Sequence, residues 1–173
     1  MLCLFTEPVV TVNVFCHNTG KVYVDGEYAG DSNAQDLTRH RTEHPRLVAV
    51  ECTNNGVDGG VLVSLSNGFV SNATEQWMYA YDDVRDWNRL EQSKYFVTTF
   101  MKSPPHAIGT NSDVPSGWDR RERFDDDAAW IWGFSPLSTL RTVYFRGQLG
   151  TSAHFLSFFL SFFLSFFLSF FFC

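Results

Sequence analysis

The chain has 173 residues, with 19 acidic side chains against 13 Lys and Arg and a formal net charge of -6. That balance excludes nucleic acid as a main partner: no basic run exists, and the Arg-rich spots His40 to Arg46 and Arg120 to Arg123 are interleaved with acids. With the repetitive C-terminus set aside, one domain remains, long enough to bury a sizeable core.

The first residues, MLCLFTEPVV, do not read as a signal peptide. Their apolar run is short, no basic segment precedes it, and Glu7 and Pro8 interrupt it. Either the protein is cytosolic or its true N-terminus lies upstream; a strand pattern begins almost at once, so a fragment is the expectation. Val9 to Cys16 (VVTVNVFC) alternates and is rich in β-branched residues, which predicts a strand. In Lys21 to Gly30 (KVYVDGEYAG), Asp25-Gly26 sits between two apolar and aromatic arms. That is a hairpin signal, because a type I′ turn needs positive φ at its two central residues. Leu47 to Thr53 (LVAVECT) reads as a strand, followed by the turn residues Asn54-Asn55-Gly56 and Asp58-Gly59-Gly60. Val61 to Ser66 is the next strand, closed by Asn67-Gly68. Gln76 to Tyr81 and Lys94 to Phe100 are further strand candidates, and Asp83 to Glu91 suits a short helix. Ser103 to Gly117 holds Pro104, Pro105 and Pro115 among Gly, Asn and Ser, and reads as a long surface loop. Thr139 to Arg146 (TLRTVYFR) is the closing strand. Many short strands, frequent turns and no sustained helical period predict an all-β jelly-roll sandwich over residues 1–150.

Residues 151–173 are a different kind of sequence. Phe155 to Phe172 repeats Leu-Ser-Phe-Phe and uses three residue types. Membrane helices are indifferent to which apolar residues they use, so a strict period of four with so small an alphabet points elsewhere. A repeated CTTT nucleotide tract translates as Leu-Ser-Phe-Phe and explains both features. The alternative is a C-terminal anchor. As a helix the run would be about 27 Å long, just under a hydrocarbon core of roughly 30 Å. It carries no Lys or Arg stop and no Trp or Tyr belt. A membrane partner is therefore expected only if this tail is a real segment.

Tyr23-Val24-Asp25-Gly26 forms a YV-(Asn/Asp)-G hairpin motif, and Val48-Ala49-Val50, Asn54 and Gly59-Gly60-Val61-Leu62 follow as a V-A-V…N…G-G strand pair. Trp-containing AAWIWG and TVYFR come near the end. This order resembles the galactose-binding-domain-like β-sandwich, a jelly roll used as an accessory module beside glycoside hydrolases and in secreted animal proteins. The resemblance covers roughly Val9 to Leu149. The family's F-D-D-x-x-W turn is echoed twice with one extra residue, at Tyr81 to Trp87 and Phe124 to Trp130. The resemblance implies an extracellular or membrane-associated, non-catalytic module with a glycan or glycoprotein ligand and no cofactor. It carries over no ligand-contacting residue, because the family's sites sit in variable loops.

Several residues carry chemistry on their own account. His40-Arg41-Thr42-Glu43-His44 fits H-x-x-E-H, which on a helix holds zinc between two His one turn apart. Pro45 and the neighbouring strand argue instead for a loop or edge strand, so no metal site is expected and a zinc hydrolase is the least favoured functional reading. Asp125-Asp126-Asp127 offers oxygen ligands for Ca²⁺, but consecutive acids alternate sides in an extended chain, and a solvated acidic turn is expected. Trp130 and Trp132 share a strand face by the period of two, and Trp77 lies in a strand. Trp118 stands in a loop with Asp119 and Arg120, and these three are the expected ligand-binding residues: an indole suits the apolar face of a pyranose and polar neighbours fix its hydroxyls. Asn72-Ala73-Thr74 is an N-glycosylation triplet. Cys16 and Cys52 fall in expected strands and can pair if those strands are neighbours; two buried thiols is the alternative. A membrane-anchored adhesion fragment without a small-molecule site is the second functional expectation.

Overall fold

Ten strands form the described part of the computed structural model: β1 (Val9–Cys16), β2 (Thr19–Val24), β3 (Glu27–Asn33), β4 (Thr38–Glu43), β5 (Leu47–Asn54), β6 (Val61–Leu65), β7 (Trp77–Ala80), β8 (His106–Thr110), β9 (Ala129–Trp132) and β10 (Arg141–Gln148). The structure describes residues 9–33, 36–55, 59–83, 86–89, 101–102, 104–114, 118–133 and 141–150. The strand expected over Lys94 to Phe100 and the C-terminal repeat lie outside them. The protein is all-β, built from two antiparallel five-stranded sheets. One sheet runs β4-β1-β6-β9-β8 and the other β3-β2-β5-β10-β7. Successive strands repeatedly change sheet, as in β1 to β2, β5 to β6, β6 to β7 and β9 to β10, a winding compatible with a jelly roll. Among the described residues there is no helix, and none is long and apolar enough to cross a membrane.

Alternation places the core. Val12, Val14, Val61, Val63 and Ile131 of the first sheet meet Val22, Val48, Val50, Val143 and Phe145 of the second, all of them sealed from solvent. Trp77 and Tyr79 of β7 point into the same layer. The hairpin between β2 and β3 turns on Asp25 and Gly26, with φ of 50° and 91°. Those two positive values are what a two-residue turn of the primed type demands. Asp25 also fixes where β5 begins, because its Oδ1 accepts the backbone N–H groups of Arg46 and Leu47 at 2.9 and 2.8 Å.

The chain passes from the first sheet to the second through only two residues, His17 and Asn18. At that corner Cys16 of β1 and Cys52 of β5 are joined by a disulfide across the layers, with Cα atoms 5.8 Å apart. Stacked sheets usually stand about 10 Å apart, so the sandwich is pinched here. Gly20, the ladder partner of Cys52, makes room: a Cβ there would lie 2.8 Å from the Glu51 carbonyl oxygen and 2.9 Å from the Cys16 Cβ. The bridge spans 36 residues of sequence, a closure that removes roughly 4 kcal/mol of chain entropy from the unfolded state.

Three expectations are corrected. The segment read as a continuous loop from Ser103 to Gly117 contains β8, an edge strand that starts just after Pro104-Pro105. Proline is compatible with the entry to an edge strand because no ladder N–H is needed there. Within the helix expected over Asp83 to Glu91, the described residues 86–89 include a turn and no helix. Trp130 and Trp132 do not pack together on one face: Trp130 joins Phe15 and Leu62 outside the first sheet, whereas the Trp132 ring meets Phe145 in the inter-sheet core. Trp132 ends its strand, and the missing side chain of Gly59 leaves space for its ring.

Candidate functional site

The outer faces of the two sheets differ in cover. On the first sheet, Phe15, Leu62 and Trp130 project outward and are roofed by the segment between β8 and β9. Phe124 and Ala128 of that segment are buried against them, with the half-buried Trp118 alongside. The Arg121 guanidinium lies 4.0 Å above the Phe15 ring, a cation–π contact. Asn111 anchors the roof. It is fully buried, its Oδ1 accepts the Arg121 N–H, and its Nδ2 donates to the carbonyls of Arg121 and Phe124.

The three expected ligand-binding residues sit in this roof. The Trp118 ring stacks on His17 at 4.4 Å and 10° and meets the edge of Trp130 at 4.6 Å. Gly60 lies against it so closely that a Cβ would come within 2.4 Å of the ring. One indole face is thus occupied by His17, so the ring is not the open platform that a loop position suggested. Arg120 is exposed and engaged, its Nη2 2.6 Å from Asp126 Oδ1. Asp119 is exposed. The sequence could not show the stacking partner, because His17 lies a hundred residues away in the corner between sheets.

The metal patterns take other forms in the fold. His40 and Glu43 lie on the edge strand β4, and His44 follows it with a φ of 50°. They form no helical turn, so the two His do not share a helical face. Asp125, Asp126 and Asp127 make an exposed turn closed by a hydrogen bond from the Asp127 N–H to Asp125 Oδ1. Among the described residues no group of three His, Cys, Asp or Glu is placed to hold a metal ion.

The second sheet carries a different outer surface. Its ladder registers set side chains in rows across the strands. The first row is Tyr28, Tyr23, Ala49, Arg146 and Met78. The next is Asp31, Lys21, Glu51, Tyr144 and Ala80. A third holds Asn33, Thr19, Thr53 and Thr142, the last two hydroxyls 2.8 Å apart. Among the described residues, Trp87 and Met101 cover only part of this face, packed against Ala49 and Ala80. Trp87 lies edge-on to Tyr23 at 6.0 Å and to Tyr144 at 5.2 Å. The buried Arg146 holds that cover down by donating from Nη1 to the carbonyls of Trp87 and Arg89 at 2.9 and 2.6 Å. Burial pushes the pKa of this guanidinium below its ordinary value.

The remainder is accessible. Tyr28 is 57% exposed, Asp31 and Lys21 are exposed, and Glu51, Tyr23 and Tyr144 are half-buried. Lys21 Nζ stands 3.6 Å from Glu51 Oε1, a pair in contact with solvent that a ligand can displace at small cost. The neighbouring Asp31 carboxylate raises the pKa of the Tyr28 phenol above its usual value. Tyr23 and Tyr144 are raised as well, first by burial and then by the Glu51 carboxylate. The surface therefore combines neutral aromatic rings with hydrogen-bond acceptors on a rigid sheet. No single residue signalled it in the sequence, since Tyr23, Glu51 and Tyr144 become neighbours only through strand order.

No family model matches the chain, and no curated protein or solved structure matches it.

Proposed function

We propose that the protein is a non-catalytic, extracellular binding module for glycans, and that the open part of the second sheet's outer face is its binding surface. The observation that carries this reading is the strip of Tyr28, Tyr23, Glu51 and Tyr144 across four adjacent strands. Aromatic faces match the C–H faces of a pyranose, and carboxylates between them accept hydrogen bonds from its hydroxyls. The strands hold these groups in fixed register, so little ordering cost attends binding. The galactose-binding-like sequence features of the hairpin and of β5 and β6 support the same ligand class. The disulfide between Cys16 and Cys52 supports an oxidising, extracellular setting.

A glycan array probed with the chain, followed by calorimetry on the best ligand, tests this reading. Tyr28→Ala and Glu51→Gln should each weaken binding about tenfold, or about 1.4 kcal/mol, without changing the fold. Binding that survives both substitutions but is lost on Trp118→Ala would transfer the site to Trp118, Asp119 and Arg120. An array without any bound glycan would remove the glycan reading and leave the aromatic strip as a protein-contact surface.

A further inference from the structure

Asn72-Ala73-Thr74 is the only Asn-x-Ser/Thr triplet in the sequence. It occupies the turn that leads from the first sheet into β7, just after Ser71, which is fully buried and bonded to Val63 and Ala129. The chain emerges from that anchor abruptly. Asn72 is half-buried, and Ala73, Thr74, Glu75 and Gln76 are all exposed before Trp77 turns back into the core. The backbone N–H and the hydroxyl of Thr74 both donate to Asn72 Oδ1. Both donors hold the amide through its oxygen, and the Nδ2 is unbonded and reached by solvent.

We propose that Asn72 carries an N-linked glycan. The inference does not depend on the binding surface assigned above. The Nδ2 of Asn72 forms a bond to C1 of an oligosaccharide carried on a lipid diphosphate, the C1–oxygen bond to the diphosphate breaks, and the lipid diphosphate leaves with that electron pair. One amide proton passes to a base of the transferase. Transfer takes place on the growing chain, so the fold has only to accommodate the product, and an Nδ2 reached by solvent beside the exposed residues 73–76 does so. A second feature agrees independently: the cross-sheet disulfide forms in the same oxidising compartment that holds the transferase. The position also suits a glycan as a shield. β7 is an edge strand whose outer side makes, among the described residues, one bridge, between Tyr79 and Lys102. A hydrated oligosaccharide at the entry to β7 would keep that edge from pairing with another chain.

The test is expression of the full chain behind a secretory leader in a eukaryotic cell, with the readout on both cell lysate and medium. Peptide-N-glycosidase should lower the mass by a single glycan and convert Asn72 to aspartate in the peptide map. Asn72→Gln and Thr74→Ala should abolish the shift, and Thr74→Ser should retain it. Chain retained in the cell remains informative, because the glycan is added before folding finishes. An unmodified Asn72 in chain that has entered the secretory route, with its disulfide formed, would overturn the proposal.

Discussion

The two outer faces of the sandwich start from similar strands and end with opposite roles. Outside the first sheet, Phe15, Leu62 and Trp130 are sealed beneath a roof knotted at Asn111. Outside the second, the described cover, a short turn clamped by Arg146 together with Met101, lies over part of the face, and aromatic and acidic side chains are in contact with water. The contrast teaches that a large aromatic residue is informative about binding only once its cover is known. Trp130 and Tyr28 are both aromatic strand residues; the first is fully buried and the second is more than half exposed.

That contrast can be broken most directly at its extremes. Trp130→Ala removes a fully buried indole from the roofed face and should cost about 3–5 kcal/mol of stability. Tyr28→Ala on the open face should stay within about 0.5 kcal/mol. Denaturant midpoints with unchanged slopes would measure both. Equal losses would mean that the two faces are not different in kind. Arg146→Met is expected to fall between them, at about 1.5–3 kcal/mol, because two carbonyls lose a charged donor. It should also weaken glycan binding, since Trp87 would no longer be held against Tyr23 and Tyr144.

The smallest effect is a pH dependence. The folded state raises the pKa of Tyr23 and Tyr144 above the ordinary 10.0. Above that value the folded chain therefore keeps protons that the unfolded chain has released, and stability declines as pH rises through the folded pKa values. Tyr23→Phe with Tyr144→Phe should flatten this alkaline decline in a denaturation series. A decline of unchanged steepness would place its origin away from the open face.

Much of the architecture is legible in the sequence because its signals are local. Asp25-Gly26 announces a positive-φ turn by composition alone, and the alternation of β1 separates inward from outward positions from Val9 to Val14. What a strand cannot announce is whether its outward side has a second cover. In β6 all five residues of VLVSL are buried, because Leu62 and Ser64 lie beneath the roof, the Ser64 hydroxyl accepting the Asp125 N–H, while Val61, Val63 and Leu65 face the other sheet. β8 escapes pattern reading for a related reason. Its residues HAIGT have exposed or half-exposed side chains and no apolar stripe, since an edge strand is held mainly by its ladder with β9. The candidate site is least legible of all. Its members come from β2, β3, β5 and β10, and their adjacency depends on sheet order, whereas the conspicuous loop tryptophan is packed against a residue from the opposite half of the chain.

The bond between Cys16 and Cys52 also governs how the layers can move. It fastens one end of the sandwich, so the sheets separate most readily at the far end, where Val10 and Leu65 of one sheet and Val24 of the other complete the core, in the manner of a book opening from its spine. Thermal breathing would then admit water first beside the Asp25-Gly26 hairpin. The sulfur-linked corner beneath Gly20 would be the last part of the interior to become wet.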